Sequence, residues 1–417
     1  MTRVRPPAWL VLATCVLTSS EFAAFAQSAS KPAAAPPSKP PAAGAPKTTT
    51  KPAAPANAEF DRIVKDAAAA RDAGRVDESI ALYQKATRVR PSWAEGYWHL
   101  GTAFYELNRY PDARDAFARV VRLQPKHAAA FGFKGLCEFQ LKNYETALSD
   151  LLQADELGVT APKDLAPAVA YHMAITMTRL EQYEFALATL QKFAQEGNDS
   201  PRIIEAFGMA LLRIPLTPAE LGADRREMVM LAGRGAYYRA ARRPAAAKPA
   251  FELLVQRYPD AANVHYAYGV YLLEDEPDRG IEEFQRELKQ SPSHLPSMLQ
   301  IAFEYLKRSD WERARPWAAR IVELEPRDFA GRRALGQVLL ETGDTPGAID
   351  QLETGVRLAP DSPSMRFMLA RAYQKADRAA DAERERAEFL RLERLIRSRK
   401  HGAQAVGGVA EPPPPKR

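Results

Sequence analysis

Prolines recur along this chain at a nearly fixed interval, and that interval restricts the possible folds more than any other feature. Pro91 and Pro125 stand 34 residues apart, Pro259 and Pro292 stand 33 apart, and Pro292, Pro326 and Pro360 follow at steps of 34. A proline cannot continue a helix and biases the residue before it away from one, so each reads as the close of a unit. Inside Trp93–Pro125, Leu100, Gly101 and Phe104 share one face of a first segment. Ala113, Phe117 and Val120 share one face of a second. The three- and four-residue steps are those of two amphipathic helices. A hairpin this small leaves apolar surface open on both sides and needs similar neighbours to cover it.

The neighbours are present. Small residues recur in the first helix of each unit at Gly101, Gly135, Ala174, Gly208, Gly235, Gly269, Ala302, Gly336 and Ala370. In the second helix they recur at Ala113, Ala147, Ala186, Ala247, Ala314, Ala348 and Ala382. The turns LNRYPDA, LKNYETA, LEQYEFA and ETGDTPGA carry the Asn, Gly, Asp and Pro that stop one helix and start the next. Period, small contacts and closing proline together resemble the tetratricopeptide repeat family. The resemblance covers roughly residues 59–395 in about nine full or partial units. It implies an all-α solenoid of stacked helix-turn-helix repeats, here spanning residues 59–400.

Two departures interrupt the array. Ala161-Pro162-Lys163-Asp164 is an insertion. Between 196 and 227 the repeat is irregular: a first helix near Ile203–Arg213 is broken by Ile214-Pro215-Leu216. Thr217-Pro218-Ala219-Glu220 then reads as a helix start, with an N-cap, a first-turn proline and a capping-box glutamate. The next first helix is expected near Glu227–Ala241. The last unit runs into a charged helix over 378–400, where Phe389, Leu392 and Ile396 recur at helical steps and would cap the final apolar face.

The ends differ in composition. Residues 1–26 read as a secretory signal, with Arg3 and Arg5, a short apolar run Trp9–Leu17, and Ala24-Phe25-Ala26 before a cleavage after Ala26. This predicts a periplasmic or secreted protein. Lipid attachment at Cys15 is disfavoured by Thr14 before it and by the apolar run continuing past it. Residues 27–58 are a Pro/Ala/Lys-rich stretch expected to be a disordered tether, and 401–417 a disordered tail.

No reaction site is legible. The chain carries 58 Lys and Arg against 52 Asp and Glu, a formal charge of +6, much of it in the tether. No nucleic-acid motif accompanies that charge, so no nucleic-acid partner is expected. His99, His127, His172, His265, His294 and His401 include no HExxH pair, and no phosphate loop, nucleophile elbow or dinucleotide fingerprint occurs. No enzyme activity, metal or cofactor is expected. Cys137, beside Leu136 and Phe139, reads as a small buried hydrophobe.

Binding is therefore the expected role. The family resemblance implies that the first helices line a concave face. Carried onto this chain, the inward positions hold Trp98, Tyr105, Phe139, Tyr171, Tyr266, Phe303, Arg333, Phe367 and Arg371. Trp, Tyr and Arg dominate protein interfaces. The Lys/Asn clamp that some family members close on a C-terminal carboxylate is not matched at Trp98, Thr102, Gly132 and Leu136. The chain is thus expected to be an exported, non-enzymatic scaffold that holds a peptide or partner helix for cell-envelope assembly. The basic tether could also touch anionic envelope polymers. The alternative is a self-associating spacer that uses its C-terminal helix.

Overall fold

The computed structural model describes residues 55–407. The expected signal, the tether before Pro55 and the tail after Gly407 lie outside the described residues. Among those residues there are nineteen helices and no strand. The leading helices are α1 (Pro55–Asp72), α2 (Val76–Val89), α3 (Ala94–Glu106), α4 (Tyr110–Leu123), α5 (Ala128–Gln140), α6 (Tyr144–Leu157), α7 (Leu165–Arg179), α8 (Tyr183–Gln195) and α9 (Pro201–Leu211). Then come α10 (Ala223–Ala240), α11 (Pro244–Arg257), α12 (Val264–Leu272), α13 (Pro277–Gln290), α14 (Leu295–Lys307), α15 (Trp311–Leu324), α16 (Phe329–Glu341), α17 (Thr345–Leu358), α18 (Pro363–Lys375) and α19 (Ala379–Gly407). They pack as antiparallel hairpins, α1/α2 to α7/α8 and α10/α11 to α18/α19, with α9 left over between the two series.

The hairpins α3/α4 and α10/α11 close on contacts that only a small residue allows. A Cβ on Gly101 would come within 2.7 Å of the Phe117 ring, and one on Gly235 within 2.7 Å of the Phe251 ring. Phe117 and Phe251 are fully buried there. The turns also share a conformation. Gly74, Asn108, Lys142, Glu181, Arg242, Ser309, Gly343 and Asp377 all have positive φ, between 56° and 93° apart from Ser309 at 55°. One left-handed residue reverses the chain between paired helices, except at the α12–α13 turn.

Successive first helices touch one another, as α5 with α7, α7 with α9, α14 with α16 and α16 with α18. Successive second helices make no comparable contact among the described residues, except α8 with α10. First helices are therefore the crowded inner layer and second helices the spread outer one, which curves the array around its first helices.

The middle departs from the sequence expectation. Helix α10 begins at Ala223, earlier than expected, and is shared: it packs on α9 as a second helix and on α11 and α12 as a first helix. Leu231, Ala232, Gly233, Gly235, Ala236 and Tyr237 are all buried, so its apolar surface is not confined to one stripe. Cβ atoms on Gly208 and Gly233 would overlap the carbonyl oxygens of Val229 and Ile204, which brings the α9 and α10 backbones into direct contact. Buried residues from Ala174 to Leu272 merge into one core around this crossing.

Thr217–Glu220 does not start a helix. Glu220 does accept the Thr217 N–H at 2.8 Å and its hydroxyl at 2.9 Å. These bonds close a single turn, and the helix begins only after the extended Gly222. That carboxylate is held below its ordinary pKa, first by the Thr217 N–H. At the C-terminus α19 extends past the expected limit of 400 and into the segment expected to be disordered. Its Phe389, Leu392 and Ile396 are buried, and Glu385 pairs with Arg366 of α18 at 2.7 Å.

Candidate functional site

The inner layer carries the residues singled out for binding, and they divide into two groups. Trp98 of α3 is half-buried, set edge-on to Phe117 at 5.5 Å and to Phe133 of α5 at 5.6 Å, and tilted on His127 at 4.9 Å. Tyr105, two turns further along the same face of α3, meets Phe133 at 5.3 Å and Tyr110 at 5.8 Å. Phe139 of α5 meets Tyr144 at 5.8 Å and His172 of α7 at 5.0 Å. Tyr171 continues the row, 5.2 Å from His172 and with the Arg202 guanidinium 5.4 Å from its ring centre. Each of the four packs on an aromatic neighbour and keeps part of its surface open. Burial lifts the Tyr105 and Tyr171 hydroxyls above their ordinary pKa and lowers that of the His172 imidazole. The row is therefore an uncharged aromatic ledge with one arginine at its end.

The trailing helices behave differently. Tyr266 is only 7% exposed, packed on Phe284 at 5.9 Å and edge-on to His294 at 5.2 Å, and its hydroxyl is pushed up to about 12 by burial. It belongs to the core, not to a groove lining. The reason is local: α12 is short, and α10 and α14 both touch it, so every residue from Val264 to Gly269 is buried. Arg333, at 9% exposure, is likewise enclosed, with its guanidinium 4.8 Å from the Phe303 ring centre. Phe303 and Phe367 stay half-buried, and Phe367 leans on Phe389 of α19 at 5.6 Å.

Arg371 is partly open. It lines a cleft of about 330 Å³ with Leu340, Glu341, Gln374 and Lys375. Its guanidinium donates to Glu341 at 2.8 Å, and Lys375 donates to the Leu340 carbonyl at 2.6 Å. Glu341, Gln374 and Lys375 were not singled out from the sequence. Gln374 and Lys375 sit one turn beyond Arg371, so extending the inward positions by a single turn would have found them.

No group of three His, Cys, Asp or Glu side chains among the described residues is arranged to hold a metal ion. Cys137 is buried, and burial pushes its thiol up to about 12, which keeps it protonated and unreactive. No helix among the described residues is long and apolar enough to cross a membrane.

The family model of the tetratricopeptide repeat matches residues 65–124, 100–158, 233–294, 299–363 and 334–388. No curated protein matches the chain. Among solved structures, MamA from Desulfovibrio magneticus RS-1 is similar at 18% identity over 40% of this chain and 96% of that one, with a TM-score of 0.38. A MamA AMB-1 structure aligns at 23% identity over 39% and 98%, with a TM-score of 0.34. The anaphase-promoting-complex assembly Cut9–Hcn1 aligns at 12% identity over 80% and 87%, with a TM-score of 0.35.

Proposed function

Because the chain belongs to the tetratricopeptide repeat family, whose members are protein-interaction scaffolds, we propose that it binds an extended peptide or a partner helix along its inner layer. The observation that carries this reading is the ledge of Trp98, Tyr105, Phe139 and Tyr171. These large rings are held by neighbouring hairpins with part of each ring left open. Rings held in place lose little entropy on binding and contribute much contact area. The Arg371 cleft offers a second anchor further along the same layer, suited to a polar or acidic group of the partner.

The N-terminal sequence supports export: Arg3 and Arg5, the apolar run Trp9–Leu17 and Ala24-Phe25-Ala26 have the order of a secretory signal. In this reading the scaffold works in the cell envelope and performs no reaction of its own. Capture of partners from envelope extract by the mature protein tests it. One specific partner is expected, with recovery strongly reduced by Trp98→Ala combined with Tyr171→Ala while the thermal unfolding transition is retained. Unchanged recovery by that variant removes the ledge from the mechanism.

A second reading has one observation in its favour. Leu390 and Leu395 of α19 are exposed apolar side chains that a second copy could cover. Sedimentation that stays monomeric over a wide concentration range excludes it.

A further inference from the structure

The loops after α2 and α4 lie on one edge of the array together with the start of α1. The Arg90 guanidinium sits 3.7 Å from the Phe60 ring centre and donates to Asn57 at 3.2 Å, which fixes the end of α2 beside the beginning of α1. Around these two loops, residues 85–97 and 119–131 carry six basic side chains and one acidic, Glu95. Lys85 and Arg90 are occupied by Glu59, Asn57 and Phe60. Arg88, Arg119, Arg122 and Lys126 are exposed and have no ion-pair or hydrogen-bond partner among the described residues. Between them protrude Val89, 43% exposed, and Leu123, 38% exposed, which occupy equivalent places one repeat apart.

The pattern stops at the third loop, where Gln153 and Glu156 stand one repeat after Arg119 and Arg122. The chain also enters the array here. Residues 22–58 contain Lys31, Lys39, Lys47 and Lys51 and no acidic residue, and they join α1 at this same edge.

We propose that this edge rests on an anionic lipid bilayer, with Arg88, Arg119, Arg122 and Lys126 over the headgroups and Val89 and Leu123 dipping between them. Charge alone would suit any polyanion. Two protruding aliphatic side chains among the cations favour a surface with an apolar interior over a purely polar polyanion. Each basic residue near such a surface adds about fivefold in affinity and loses it as salt rises. Although Trp98 of the ledge touches His127 at this edge, the cations and aliphatic side chains tested below are not ledge residues, so this inference and the groove reading fail independently.

The test is flotation of the full chain with vesicles of phosphatidylcholine, with or without phosphatidylglycerol. Binding is expected to the anionic vesicles only, and to be released by about 0.5 M salt. Arg122→Glu with Lys126→Glu should weaken it roughly tenfold or more. Arg88→Glu with Arg119→Glu should do the same, and Leu123→Asp should weaken it further, whereas Arg234→Glu on α10 leaves it unchanged. The targeted side chains are exposed, so the two double variants serve as independent replicates. Equal binding to neutral vesicles, undiminished binding by both double variants, or no effect of Leu123→Asp would overturn the proposal.

Discussion

The Glu287 carboxylate, with no exposed surface, accepts the backbone N–H of Asn263 at 2.8 Å and of Tyr266 at 3.2 Å. A residue of α13 thereby satisfies donors at the N-terminus of its own partner helix, α12, which has no side-chain cap. The negative charge also sits at the positive end of the α12 dipole. Removing it leaves two backbone donors without their acceptor. Glu287→Ala should cost about 2–3 kcal/mol, and Glu287→Gln less, because an amide oxygen still accepts. Urea denaturation of both variants measures the difference; equal losses would show that the cavity, not the hydrogen bonds, decides.

The same junction should respond to acid. His294 Nδ1 accepts the Ser297 N–H at 3.3 Å and the Ser297 hydroxyl at 2.8 Å, so the ring proton sits on Nε2 and points at Asn263, 3.0 Å away. Burial, with Arg213 adding to it, depresses this imidazole to about 4. Because the folded value lies below the unfolded one, the unfolded chain binds the proton first. The contribution of the junction is complete above about pH 6.5 and declines as pH falls toward 4. Wild-type protein should lose more melting temperature between pH 7 and 4.5 than His294→Asn, since asparagine can cap without titrating. Parallel losses in the two proteins would refute this assignment.

At the α9–α10 crossing there is no space for a methyl group. Gly208→Ala or Gly233→Ala places a Cβ on a backbone carbonyl of the facing helix. Neither backbone can yield without moving the core it shares, so each should cost about 3 kcal/mol or more. Gly101→Ala meets the Phe117 ring first, a side chain with some freedom to shift, and should cost less. Thermal unfolding ranks the three; a milder effect at 208 and 233 than at 101 would contradict the direct backbone contact.

Some turns are open to improvement. Arg242 has φ of 58°, is exposed, and its side chain makes no hydrogen bond or ion pair among the described residues. A side chain in this region is strained, while glycine is not. Arg242→Gly should raise stability by up to about 1 kcal/mol, partly offset by the greater freedom of glycine in the unfolded chain. Chemical denaturation reads the sign directly.

How much could be read in advance depends on whether a residue acts within its repeat or across repeats. Gly101, Phe117 and Pro125 act within one hairpin, so their spacing announced the helix pairs. Tyr266 occupies a formally inward place, but its burial depends on the length of α12 and on the path of α10, neither of which its own repeat encodes. Thr217 and Glu220 form the hydrogen bonds of a helix start, but the chain does not enter a helix until after Gly222. Local bonding there is the same in a lone turn and in a cap. The all-round apolar character of MVMLAGRGAYY was the available sign that α10 serves two neighbours, and it is visible only when no single stripe is assumed.

The extra helix α9 has a consequence for direction. Consecutive helices run antiparallel, as the facing pairs Gly208 with Val229 and Ile204 with Gly233 show at the crossing itself. One extra helix therefore inverts the register of everything after it: connectors that emerged at the bottom of the early hairpins emerge at the top of the later ones. With nineteen helices the chain enters on one rim and leaves on the other. A molecule tied down by its N-terminal segment would consequently present its last helix away from the tie, free to meet something on the far side.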